Sequence, residues 1–287
     1  MTEKKTKGRK RKAPARKKGK KKKSARKEFW ARWKFAAALV CIAGLAAVGF
    51  YCLYVRPYSY RWQPCFGREA YGVCIPGNYK VHGIDISHYQ GEVDWQELRN
   101  KQHADFPLHF VFMKATEGGT LSDSTFARNF SDAQAYGFVR GAYHFFVPGT
   151  DAYKQADFFM RQVDLQEGDL APVLDVETMG RSSKKDLQRG VKTWLDAVEQ
   201  HYGVKPIIYT SYKFKEKNLD DPLFDDYPYW IAHYYVDSVR YRGHWEFWQY
   251  TDIGEVPGIR EGVDLNVFNG TVEDLRKYMI PAFPPVN

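Results

Sequence analysis

The chain predicts an α/β fold: a barrel of alternating strands and helices, degenerate in its final third, preceded by one apolar helix. Three observations carry this. Eight apolar, strand-like runs lie at 81–86, 109–115, 138–146, 171–176, 205–210, 228–232, 245–250 and 262–268. Helix-like stretches separate the first five, at Asp94–Asn100, Ser124–Tyr136, Asp151–Val163 and Lys184–Tyr202, the last stopping at Gly203. Strands alternating with helices at about 30 residues per unit pair in parallel. Finally, Phe35–Val55 is an uncharged run of 21 residues.

From the N-terminus, residues 1–34 hold 18 of the 43 Lys and Arg but only 2 of the 34 Asp and Glu, leaving 25 basic and 32 acidic groups beyond them. The net charge of +9 therefore describes a basic tail on a mildly acidic domain. The tail has no apolar periodicity before Phe29 and is expected to be disordered. Lys20–Lys23 has the composition of a nucleic-acid-binding arm, but the segment that follows argues against a nucleic-acid partner. As a helix, Phe35–Val55 spans about 31 Å, close to the hydrocarbon core of a bilayer. Trp30, Trp33, Tyr51 and Tyr54 lie near its ends, as interfacial aromatics do. The run is long for a signal peptide, and no small-x-small cleavage site precedes Arg56. The expectation is an uncleaved single-pass anchor in the cytoplasmic membrane. The N-terminus stays inside, the following domain is periplasmic or extracellular, and the lysines act as a topology signal in contact with membrane lipid.

Cys41 and Cys52 fall within the span and read as small apolar residues. Cys65 and Cys74 lie beyond it, where an oxidising compartment favours a disulfide over two free thiols. No Cys/His spacing has the pattern of a zinc site, and neither metal nor cofactor is expected. Residues 56–80, rich in Pro, Gly and Tyr, read as a linker, and 81–287 as the main domain.

A polar or aromatic residue ends each run: Asp85, Lys114, Tyr143, Asp175, Tyr209, Trp230, Trp248 and Asp264, at steps of 29, 29, 32, 34, 21, 18 and 16 residues. The first four steps have room for a full strand–helix–strand unit and the last three do not. This predicts an eight-strand barrel of the triosephosphate-isomerase type with five helices. All eight residues are then expected at the C-terminal ends of strands, where the chemistry of such barrels sits. Asp175 and Glu177 form the most informative pair. Two apart on a strand, they face the same side. Two carboxyls on one face repel, and one pKa should rise. A protonated carboxyl beside an ionised one is the equipment for cleaving a glycosidic bond. An aromatic content of 16% fits a carbohydrate-binding surface, and equally a well-filled core.

Several motifs in order then make the chain resemble glycoside hydrolase family 25, the lysozyme group of fungal, bacterial and phage muramidases. They are His82-Gly83-Ile84-Asp85-Ile86-Ser87 with Tyr89-Gln90-Gly91 and Asp94-Trp95; Phe112-Met113-Lys114-Ala115-Thr116-Glu117-Gly118; Gly141-Ala142-Tyr143-His144-Phe145; Asp175-Val176-Glu177; Pro206-Ile207-Ile208-Tyr209-Thr210; Trp230-Ile231-Ala232; Trp248-Gln249-Tyr250; and Gly262-Val263-Asp264-Leu265-Asn266. They span about residues 80–275 and leave 1–78 outside.

The resemblance implies a (β/α)5β3 barrel and hydrolysis, with retention, of the β-1,4 bond from N-acetylmuramic acid to N-acetylglucosamine in peptidoglycan. Carried onto this chain, it makes Glu177 the general acid and then base. Asp175 is either a direct nucleophile or, the reading favoured here, the group that orients a 2-acetamido group whose carbonyl oxygen attacks the anomeric carbon. Asp85 and Asp264 complete the acidic cluster and hold the other carboxyls and sugar hydroxyls. Tyr143, Tyr209, Trp230 and Tyr250 are candidates for sugar-binding walls, with Lys114 and Gln249 as polar contacts.

Plainer readings compete. Trp230 and Trp248 fill a barrel core as readily as they line a cleft. Lys114 and Glu117 are spaced for a local ion pair, and His144 reads as structural. A chitinase-like barrel would need Asp at 170 and 173, where this chain has Leu170 and Val173. A catalytically inactive, membrane-tethered wall-binding protein is the remaining alternative, and the presence of all four acids argues against it.

Overall fold

The computed structural model describes residues 19–55, 65, 67–236, 238–241 and 243–282. The chain divides into two compact units between residues 64 and 65. In the first, α1 (Gly19–Phe50) continues as one π-helical turn at Tyr51–Val55. Arg26–Val55 is long and apolar enough to cross a membrane. Its large apolar side chains, such as Leu39, Leu45 and Leu53, are exposed. The helix starts earlier than expected, so residues 19–34 of the tail are helical rather than disordered. Lys, Arg and Ala are good helix formers, and extending an existing helix avoids the cost of nucleation. The expected disorder of residues 1–18 lies outside the described residues, as do residues 56–64 of the expected linker.

The second unit opens inside that linker. There β1 (Arg68–Ala70) and β2 (Val73–Ile75) pair as a hairpin. Cys65 and Cys74 are disulfide-bonded, with Cα atoms 5.3 Å apart. The hairpin packs on the domain rather than leading to it: Ala70, Tyr71, Val73 and Ile75 are buried in its core. The Tyr71 hydroxyl donates to the Phe106 carbonyl at 2.8 Å, and the Glu255 amide donates to the Tyr71 carbonyl at 2.8 Å.

Eight strands close into a barrel-like sheet. They are β3 (Val81–Ile86), β4 (Leu108–Glu117), β6 (Val139–Phe145), β7 (Val173–Asp175), β8 (Ile207–Ser211), β9 (Tyr229–Ala232), β10 (Phe247–Gly254) and β11 (Val263–Phe268), which returns to β3; β5 (Leu121–Ser122) pairs on the end of β4. Neighbours are parallel from β3 to β10, and β11 runs antiparallel to both β10 and β3. Each strand coincides with one of the eight apolar runs.

Helices α2 (Trp95–Asn100), α3 (Phe126–Ala135), α4 (Ala152–Gln162), α5 (Lys184–Tyr202) and α6 (Tyr212–Asn218) follow the first five barrel strands, and α7 (Val272–Leu275) follows the last. Five start one residue after a side-chain cap that satisfies a free backbone N–H: Asp94 on Glu97, Asp151 on Lys154, Ser183 on Asp186, Ser211 on Phe214 and Thr271 on Asp274. The fifth helix lies in the 21-residue step judged too short for a full unit. It fits because no loop intervenes: Ser211 ends β8 and also caps α6.

The alternation of side chains along the strands builds two cores. Val81, Val173, Ile207, Phe110, Phe112, Phe247 and Phe268 fill the barrel, while Phe159, Trp194, Leu195 and Val198 pack between sheet and helices. The Phe112 ring stacks on Trp230 at 4.5 Å and meets Phe110 and Phe247 edge-on at 5.5 and 5.3 Å. Gly83 and Gly141 make room for these rings: an added Cβ would lie 2.4 Å from Phe110 and 2.6 Å from Phe112. Gly141→Ala is therefore expected to lower stability by about 1–3 kcal/mol, as overpacking of a filled core does. Urea unfolding of the full-length protein in detergent checks this, and an unchanged midpoint contradicts it.

Candidate active site

One residue from each barrel strand reaches a common cavity of about 240 Å³ at the barrel mouth: Asp85, Lys114, Tyr143, Asp175, Tyr209, Trp230, Gln249 and Asp264. Glu177, two residues past Asp175, joins them, while the intervening Val176 is buried in the outer core. The expected same-side placement of Asp175 and Glu177 is what brings both into one cavity.

Three sequence expectations are corrected. Trp248 does not reach the mouth. Its neighbours Phe247 and Gln249 point inward, so period two turns Trp248 to the outer core, where its indole N–H donates to the His233 carbonyl at 2.8 Å. Tyr250, expected as a sugar-binding wall, faces outward for the same reason and packs 5.8 Å from Trp248, away from the cavity. Asp264 is also not at a C-terminal strand end. It sits near the start of β11, and the reversed direction of that strand delivers it to the same mouth.

The acids are held by a network that the sequence reading only partly named. Asp85 Oδ2 accepts from Gln249 Nε2 at 2.8 Å and from Asn266 Nδ2 at 2.7 Å. Asn266 is oriented in turn by the Trp230 indole N–H, which donates to its Oδ1 at 2.8 Å. Gln249 Oε1 accepts from the Tyr209 and Tyr234 hydroxyls, each at 2.6 Å. Asn266 and Tyr234 were not singled out beforehand. Asn266 stands in a quoted motif, two residues past Asp264 and hence on the same face. Tyr234 lies beyond the end of β9 and carries no periodic signal.

Electrostatics follow from crowding four carboxyls around one cation. Among the described residues lining the cavity that cation is Lys114. Its Nζ donates to Glu117 at 2.6 Å and lies 4.9 Å from the centre of the Phe145 ring. Burial pushes Asp175 well above the usual carboxylate range, with the charges of Glu177 and Asp85 adding to it. Asp175 Oδ1 is buried without a hydrogen-bond partner among the described residues. Partial desolvation also raises Glu177, opposed by the neighbouring Tyr209 hydroxyl and by Lys114. Glu177 stands exposed at the rim while Asp175 is buried, so the deeper acid holds a proton more strongly. Asp85 and Asp264 face each other across β3 and β11, share a hydrogen bond, and are both raised by burial. The two amide donors favour the ionised form of Asp85, which leaves the shared proton on Asp264.

With this geometry in view, the comparisons are decisive about class. A glycoside hydrolase of the lysozyme type is the enzyme that fold and relatives define. The family model of glycosyl hydrolases family 25 matches residues 84–259, and the chain belongs to that family. It is 43% identical over 227 residues to an uncharacterized Escherichia coli K12 protein, YegX, covering 79% of this chain and 81% of that one. It is 30% identical over 210 residues to lysozyme M1 of Streptomyces globisporus, covering 68% of this chain and 70% of that one. A solved family 25 glycosyl hydrolase from Bacillus anthracis superposes with a TM-score of 0.63 at 31% identity, over 70% of this chain and 94% of that chain.

The raised carboxyls have a consequence for stability. Above the usual carboxylate range, near pH 4, the unfolded chain releases a proton that folded Asp264 keeps. The stability from that protonated acid is complete below this range and is lost as pH rises. Urea unfolding across pH is expected to show Asp264→Asn gaining on the wild type steadily from about pH 4 through neutrality. A difference that stays flat with pH contradicts the assignment.

Proposed function

We propose that this chain is a membrane-tethered N-acetylmuramidase that cleaves the β-1,4 bond between N-acetylmuramic acid and N-acetylglucosamine in peptidoglycan, with retention. The observation that carries the reading is the buried, unpartnered Oδ1 of Asp175 in the same cavity as Glu177. A buried acceptor left unpaired is costly, and the N–H of a substrate 2-acetamido group would satisfy it. That bond would orient the acetamido carbonyl oxygen for attack on the anomeric carbon. Glu177, at the rim, protonates the leaving oxygen and then activates water.

Substrate binding has to reverse the order of the two acids. An N–H donated to Asp175 favours its ionised form, while a sugar covering Glu177 removes water and raises its pKa further. Asp85, held by Gln249 and Asn266, and Asp264 hold the other carboxyls and sugar hydroxyls, Tyr143 and Tyr209 form walls, and Trp230, stacked on Phe112, forms the floor. Lys114 limits the repulsion among the acids and offers a polar contact. The five strand–helix units followed by three strands support the (β/α)5β3 form of the barrel.

The apolar helix, read as an anchor with the basic tail inside, would place the enzyme at the cytoplasmic membrane with its catalytic domain periplasmic or extracellular. The disulfide just beyond the helix supports an oxidising compartment on the far side.

Digestion of purified peptidoglycan by the full-length protein in detergent, with new reducing ends identified by mass spectrometry, tests the reading. Muramic-acid reducing ends are expected, falling by about 10²-fold or more in Glu177→Gln. Glucosamine ends overturn the assigned bond. No cleavage by folded wild type overturns the activity and favours a tethered wall-binding protein.

A further inference from the structure

A second and larger cavity, a groove of about 960 Å³, is walled by residues 89–97, one face of α3 and the loop 256–261. It meets the catalytic cavity at Tyr89 and Gln90, which line both.

The turn that carries these two residues is braced. Ser87 and Gln90 cap it reciprocally. Its His88 backbone N–H and ring Nδ1 both bond to Asp123 Oδ2, at 2.9 and 2.8 Å. Gln90 Nε2 donates to the Gly262 carbonyl at 3.0 Å. The result is an aromatic side chain, Tyr89, held 74% exposed on a fixed turn between two cavities. The structure does not hide this ring, and rigid exposed tyrosines of this kind serve contact surfaces.

The direction of the groove is informative. Arg128 and Asp132 share one face of α3, and Tyr136, four residues further on, is its C-cap. They descend about 12 Å along α3. That helix runs from the end of β4, at the mouth, toward the start of β6 at the opposite end of the barrel. The groove thus leaves the mouth sideways and runs down the flank. A glycan lying across the mouth has no path along it, but a flexible substituent hanging from a sugar does. About 12 Å accommodates three to four residues of extended peptide at roughly 3.3 Å each.

The charges on the walls fit such a chain. Arg128 pairs with Glu92 at 3.0 Å and with Asp132 at 3.7 Å; Arg128 and Glu92 are exposed and Asp132 is half-buried. Exposed pairs contribute little, so they can be exchanged for the charges of a ligand. A peptide bearing both carboxylates and a free amine finds both partners here.

We propose that the flank groove is a subsite for the peptide stem borne by the muramic acid of the substrate strand, with Tyr89 as the sill between sugar and peptide. This rests on the muramidase reading and adds that the enzyme distinguishes stem-bearing glycan from bare glycan.

The test compares kcat/KM of the full-length protein on peptidoglycan strands carrying uncrosslinked stems with that on the same strands stripped of stems by an amidase. The wild type is expected to prefer stem-bearing strands by about tenfold, the equivalent of one good contact. In Arg128→Ala/Tyr136→Ala the ratio is expected to fall toward one. A ratio near one in the wild type, or a ratio retained in the double variant, overturns the subsite while leaving the muramidase reading intact. If the double variant does not fold, competition replaces it: free stem peptide should inhibit cleavage of stem-bearing strands by the wild type, and no inhibition overturns the subsite. Failure to cleave either substrate overturns the muramidase reading, and the subsite with it.

Discussion

The constraint on which this structure turns is the placement of Asp85, Asp175, Glu177 and Asp264 around a cavity whose one cation among the described residues is Lys114, its charge already engaged by Glu117. Four charges cannot coexist there at low cost, because burial penalises each ionised form and every neighbour adds repulsion. The molecule resolves this by sharing protons and by fixing where they sit. Two amide N–H groups are committed to one oxygen of Asp85, and the facing Asp264 takes the proton. The amides are themselves clamped by Trp230, Tyr209 and Tyr234. Such a network is favourable only when fully satisfied, and Asp175 Oδ1, buried without a partner among the described residues, is where the substrate is proposed to bind.

The barrel serves this arrangement directly. Every strand presents one side chain to the mouth, and the residues below it on the same faces fill the interior. The stacked rings of Phe112 and Trp230 form the floor that closes the barrel beneath the acids. Gly83 and Gly141 are part of the same construction, because no larger residue leaves room for the rings. A packed floor keeps water from reaching the cluster from below, which keeps the carboxyls poorly solvated and their protons bound.

Much of this was legible in the chain, and the failures have identifiable causes. The eight strands and four of the helices follow from hydrophobic period and capping residues such as Asp94, Asp151 and Ser183. Asp175 and Glu177 share a site because two residues is the repeat of a strand. The same repeat turns Trp248 and Tyr250 away from the cavity that Gln249 faces, although strand-end position pointed to the first and the family resemblance to the second. Aromatic size drew attention where parity should have decided. Asn266 was readable by that parity from Asp264, whereas Tyr234 was not, since it lies on a loop. The β1–β2 hairpin was hidden by a dense background of Pro, Gly and Tyr, and by strands of only three residues. Its identity as a folded element depends on tertiary contacts of Tyr71 that local sequence does not encode. The early start of α1 reflects propagation from the apolar segment into lysines that would not form a helix alone.

In the proposed mechanism the acid that cleaves the bond is Glu177, protonated because the substrate covers it, beside an Asp175 ionised by an acetamido contact. The most direct measurement is the pH dependence of kcat and of kcat/KM on one soluble glycan substrate. The first reports the enzyme–substrate complex and the second the free enzyme. A basic limb in kcat is expected, with an apparent pKa above the ordinary glutamate value of about 4.3. A kcat that rises or stays level across the same range would contradict it.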